Sequence, residues 1–205
     1  MKPILSLALF LALSVMFSQA QDSTQNKKVI IFKAIEKVPA YPGGVEAIGR
    51  HITQNLKYPE VAKLIGINGR IVISFVIDKQ GVVREVTPVN CIGAGCESEA
   101  VKVIESLDTW SPGMQDGKPV RVQYQIPISF LTPKEKVKFK ELAQSDYGFV
   151  FNIKGTLYSL NDAEQLLGKS FKSADIALAE PFYNTGDDAR FVMPGKKEIY
   201  LINMR

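Results

Sequence analysis

The chain has 205 residues, 46% hydrophobic and 22% charged, which suits one or two globular domains and excludes a disordered polymer. Its net charge of +4 comes from Lys and Arg interleaved with Asp and Glu. No basic face of the kind nucleic-acid binding requires stands out, and no nucleic-acid partner is expected.

The N-terminus reads MKPILSLALFLALSVMFSQAQDS, with Lys2 ahead of an apolar run and Ser18-Gln19-Ala20 behind it. This is the pattern of a cleavable export signal. As a helix the run from Ile4 to Phe17 reaches about 21 Å, short of the roughly 30 Å hydrocarbon core that a membrane anchor must cross. Cleavage after Ala20 is therefore expected, with residues 1–20 as signal peptide and the product in the periplasm or cell envelope. Residues 21–39 form a lead that contains KKVIIFKAI, read as a leading strand or an irregular approach.

Tyr41-Pro42-Gly43-Gly44 reads as the turn that opens a helix. Val45, Ile48, Ile52 and Leu56 then follow at helical spacing. Tyr58-Pro59 breaks the pattern, and a short helix from Pro59 to Leu64 stops at Gly66. In GRIVISFVIDKQGVVREVTPV, Ile71, Ile73, Phe75 and Ile77 alternate onto one face. The turn Asp78 to Gly81 returns the chain as a second strand, which is a hairpin signal.

Cys91 and Cys96 flank a glycine-containing loop, and two readings stand: a local disulfide or two free thiols. Metal binding is disfavoured, since two thiols and a distant His51 make a poor zinc set, and no metal or cofactor is expected. Ala100, Val103, Ile104 and Leu107 make a second helical stripe running to Trp110, itself read as a core anchor. SPGMQDGKP reads as a turn region.

The third strand, VRVQYQIPISF, places Val120, Val122, Tyr124, Ile126, Ile128 and Phe130 on one face. Pro127 cannot donate to a central ladder, so this strand belongs at an edge. The outcome is an α+β domain over residues 40–131, a three-stranded antiparallel sheet with two helices on one face. Residues 132–145 read as a charged linker and 146–205 as a small α/β unit, with strands in YGFVFNIKGTLYSL and KKEIYLINM and a helix in NDAEQLLG.

Catalytic signals are sparse. There is one histidine and no nucleophile elbow around any serine. LLGKS lacks the first glycine of a phosphate-binding loop, and NTGDDAR lacks calcium-loop spacing. No enzyme is expected, and a secreted hydrolase using His51 as base is the remotest alternative.

YPGGVEAIGRHITQNLKYPEVAKLIGINGRIVISFVIDKQGVV followed by GCESEAVKVIESLDTWSPGMQDGKPVRVQYQIPISF resembles the C-terminal domain of the TonB energy-transducer family. Tyr58-Pro59, Gly69-Arg70, the Asp78–Gly81 turn, Trp110-x-Pro-Gly and Gly117-Lys118-Pro119-Val120 carry the likeness. The resemblance implies a periplasmic domain that grips an extended segment of an outer-membrane receptor and transmits force from an inner-membrane motor. Three features depart from a transducer: the cleavable N-terminus, the missing Pro-rich spacer, and the residues beyond the third strand. SADIALAEPFYN with KKEIYLINM weakly resembles the plug region of TonB-dependent receptors.

The expected function is capture of an extended peptide by strand addition to the edge strand, with Arg121, Gln123, Tyr124, Gln125 and Ser129 as the contact residues. The partner is an outer-membrane receptor or another envelope protein. A second copy of the chain at the same edge, giving a homodimer, and a membrane-anchored transducer are the alternatives.

Overall fold

The computed structural model describes residues 35–186 and 188–205. The expected signal peptide and most of the 21–39 lead lie outside the described residues. Helix α1 (Gly44–Asn55) starts after Gly43, whose φ of 79° is left-handed. Of its residues only Ile48 is buried, and Val45, expected on the apolar stripe toward the core, is 83% exposed. The apolar stripe of α1 is thus covered at Ile48 and open at its start, at Val45. Helix α2 (Glu60–Ile65) follows Pro59 and ends on left-handed Gly66.

Strand β1 (Gly69–Ile77) turns into β2 (Val83–Pro88) through Asp78. The Asp78 carboxylate accepts the N–H groups of Gln80 and Val82 at 2.9 and 2.8 Å and pairs with Arg84. Those bonds, led by the one from Val82, hold its acid form below the usual carboxylate range. Gly81 closes the turn at φ 82°. A Cβ there would lie 1.8 Å from the Trp110 carbonyl oxygen, so only glycine fits.

Helix α3 (Cys96–Glu105) buries Ala100, Val103 and Ile104. Against them lie Ile71, Ile73, Phe75 and Ile77 of β1, none with any exposed surface. The helix stops at Glu105 rather than at Trp110 because later backbone groups have other partners. Trp110 N–H donates to Gly81 O and Ser111 N–H to Ala40 O, each at 2.8 Å, so the chain must run extended there. The stretch read as a turn is a miniature hairpin, β3 (Gly113–Gln115) and β4 (Lys118–Val120), reversing at Asp116-Gly117. Strand β5 (Val122–Phe130) thus starts two positions later than the periodicity suggests.

The first sheet has the order β2-β1-β5, antiparallel throughout, with β5 at an edge. Residues 132–145 fold into β6 (Lys136–Lys138) and helix α4 (Phe139–Gln144), with Val137, Phe139 and Leu142 buried. Next come β7 (Gly148–Ile153), β8 (Thr156–Tyr158), helix α5 (Leu160–Leu167), β9 (Ser170–Lys172), β10 (Ile176–Pro181) and β11 (Ile199–Met204). Ser159 caps α5, its side chain accepting from Asp162 N–H at 3.3 Å.

The second sheet has the order β10-β11-β7-β8, in which β11 runs parallel to β7 and antiparallel to β10. Strands β6 and β9 make a separate pair. Phe139, Phe151 and Phe171 form a triangle with ring centroids 5.3 to 5.6 Å apart, spacings that favour edge and tilted aromatic contacts. One hydrophobic cluster runs from Tyr41 to Ile202, so residues 35–205 share a continuous core. Among the described residues no helix is long and apolar enough to cross a membrane.

Candidate partner-binding edge

Val72 directs its backbone toward β2: its N–H meets Asn90 Oδ1 and its carbonyl accepts from Val89 N–H, both at 2.8 Å. Pro127 is the residue opposite Val72 on β5. In an antiparallel ladder, opposed residues both point inward or both point away, so Pro127 turns its nitrogen to the outer side. On that side the lack of an N–H costs the ladder nothing. The same parity carries the backbone groups of Gln123, Gln125 and Ser129 outward, and among the described residues none of them has a backbone partner on that side.

The alternation also sorts the side chains. Gln123, Gln125, Pro127 and Ser129 are exposed, whereas Tyr124 and Ile126 are half-buried and Ile128 and Phe130 are buried. Gln123 Nε2 donates to Ser74 Oγ at 2.8 Å. Arg121 lies just before β5 and bonds Glu85; both side chains are more than half exposed, so this pair adds little stability. Tyr124 turns to the helix side, stacking on Phe75 at 6.0 Å and donating its hydroxyl to Pro39 O at 3.0 Å. Burial raises its phenol pKa.

Beside this edge lies a groove of about 660 Å³ lined by Val38, Val45, Ile48, Ile52, Tyr124 and Ile126. Trp110, only 5% exposed, also contributes to its wall, and its Nε1 has no hydrogen-bond partner among the described residues. Tyr41 packs edge-on against Trp110 at 5.3 Å, and the Tyr41–Gly44 turn so joins the opening of the helix to one wall of the groove. Sequence reasoning found β5 and missed the groove, because Val38 and Val45 read as a lead and a core stripe. The helical start at a double glycine, which exposes the first apolar residue of the stripe, was the available signal.

The two cysteines are free thiols, Cys91 exposed and Cys96 buried. Burial pushes the Cys96 thiol up to about 12, which makes it a poor nucleophile. His51 Nε2 lies 2.9 Å from Ser106 Oγ, whose own hydrogen goes to Val103 O. No carboxylate orients that ring among the described residues, so the pair is a helix-to-helix tie and lacks the third member of a hydrolytic triad. No group of three His, Cys, Asp or Glu side chains among the described residues is placed to hold a metal.

Residues 54–132 match the family described as Gram-negative bacterial TonB protein C-terminal, in agreement with the resemblance carried by the sequence motifs. Two solution structures of the Helicobacter pylori TonB C-terminal domain are also similar. The longer, residues 179–285, is 22% identical over 43% of this chain and 79% of its own length, with a TM-score of 0.35. The shorter, residues 194–285, is 23% identical over 42% and 89%, with a TM-score of 0.33. No curated protein matches.

Proposed function

We propose that this protein is a periplasmic binding module that captures an extended segment of an outer-membrane receptor, or of another envelope protein, by adding it as a strand to β5. The observation that carries the reading is the open outer ladder of β5 beside an apolar groove. Backbone groups of Gln123, Gln125 and Ser129 supply affinity, and the groove selects the side chains that point toward α1. Arg121 and the amides of Gln123 and Gln125 meet side chains on the opposite face of the added strand. Strand pairing by a second copy of the chain is the competing use of the same edge. The C-terminal half does not take that role, because it docks at Gly66 and Gly93, away from the groove.

Two proline variants test the reading. Gln125→Pro removes an outward N–H and leaves the bonds to β1 in place, so the chain should fold while a synthetic receptor-segment peptide loses at least about tenfold in affinity. Ile126→Pro removes an inward N–H and should unfold the sheet. A folded Gln125→Pro variant that binds the peptide as tightly as the parent would sink the proposal. So would recovery of the whole chain from the cytoplasm alone.

A further inference from the structure

The loop that carries both cysteines is also the clamp on the C-terminal half. Ala94 N–H donates to Ala179 O of β10 at 2.6 Å, and a Cβ on Gly93 would lie 2.2 Å from that same oxygen. Gly93, Ala94 and Gly95 all have positive φ, at 86°, 55° and 79°. Ala94 pays for that geometry with backbone strain, so the conformation persists only while its surroundings hold it. One restraint is Glu97, whose Oε1 accepts the N–H groups of Ile92 and Gly93 at 2.6 and 2.7 Å. The other is Cys96, the first residue of α3, which is completely buried in the core.

Cys91 is exposed and borders two clefts, one lined by Ser173 to Ala177 and the other by the clamp residues Gly93, Ala94 and Ala179. With Cys96 completely buried, an oxidant meets Cys91 first, and a bond to Cys96, which needs close and converging Cβ atoms, acts on the strained backbone between them. The movable part is the strained 92–95 segment, because Cys91 follows Asn90, which is tied to β1 by bonds to Val72 N–H and Arg70 O at 2.8 Å.

We propose that the 91–96 loop is a thiol–disulfide latch: reduced, it pins β10 through Ala94, and joining Cys91 to Cys96 draws Cys96 out of the core and unpins it. In the closing step two S–H bonds break and one S–S bond forms. The two electrons and two protons pass to a disulfide-containing oxidant, which leaves as two thiols.

The full chain treated with oxidised glutathione tests this. The expected result is an internal disulfide by peptide mapping, with amide exchange at Ala94 and across 176–181 accelerated at least about tenfold, reversed by reductant. Cys91→Ser, a change at an exposed site, should keep the protection of the reduced parent under the same treatment. An internal disulfide that leaves Ala94 and β10 protected would overturn the proposal. So would glutathione attached to Cys91 with no internal bond.

Discussion

Two glycines with similar backbone angles have unequal freedom. Gly81 at φ 82° faces the Trp110 carbonyl, whereas Gly117 at φ 68° has nothing within 4 Å of the methyl that alanine would add. Gly117→Ala should therefore cost only the left-handed penalty, about 1 kcal/mol. Gly81→Ala must also displace the carbonyl and break the Trp110 N–H bond to Gly81 O, and should cost at least about 3 kcal/mol. Urea midpoints for the two variants check the difference. Tyr58 sets a pH limit: burial first, then proximity to Cys96, pushes its phenol up to about 12 from 10.0. Its hydroxyl donates to Ile67 O and its ring meets Phe130 edge-on at 5.5 Å. Because the folded value is the higher one, the neutral phenol's contribution is complete below pH 10 and disappears as pH rises from 10 to 12. Denaturant titrations at pH 7 and pH 11 should show a smaller loss for Tyr58→Phe than for the parent.

The elements that were legible in the sequence are those whose periodicity and punctuation agree. Strand β1 sets Ile71, Ile73, Phe75 and Ile77 on one face, Asp78 and Gly81 supply turn chemistry, and Pro127 marks the edge, so hairpin and edge could both be read without coordinates. Helix α3 misled at its end, because Leu107 and Trp110 continue an apolar spacing while the backbone bonds of Trp110 and Ser111 run to Gly81 and Ala40, far away in sequence. Asp116-Gly117 carried a hairpin signal that its short flanks obscured. Four of the five edge residues lie in the strand that was legible in the sequence, Arg121 falling just before it, and the bonds of Val72 reveal that Gln123, Gln125 and Ser129 turn their backbones outward while Tyr124 does not. The charged stretch 132–145 read as a linker because Lys and Glu outnumber the three apolar residues that α4 and β6 bury.

At the scale of the molecule, those three residues decide how the chain melts. Phe139 sits between Phe151 and Phe171 and is 1% exposed, and its helix packs against α2. With one core spanning both sheets, residues 35–205 should unfold in a single transition. Phe139→Ala should lower the stability of both sheets together by about 3–5 kcal/mol, read as coincident shifts in tryptophan fluorescence from Trp110 and in amide exchange of β7. Separate transitions by those two probes would mean that the sheets fold independently.

The placement of β11 has a consequence for synthesis. It fills the space between β7 and β10, although β7 leaves the ribosome or translocation channel some fifty residues earlier. Until residues 199–204 emerge, the nascent chain presents β7 and β10 as two strands with a gap between them, one of them bearing Phe149, Val150 and Phe151 in succession. Parallel pairing over such a separation is slow, and during that delay the C-terminal half is exposed to mispairing with neighbouring chains.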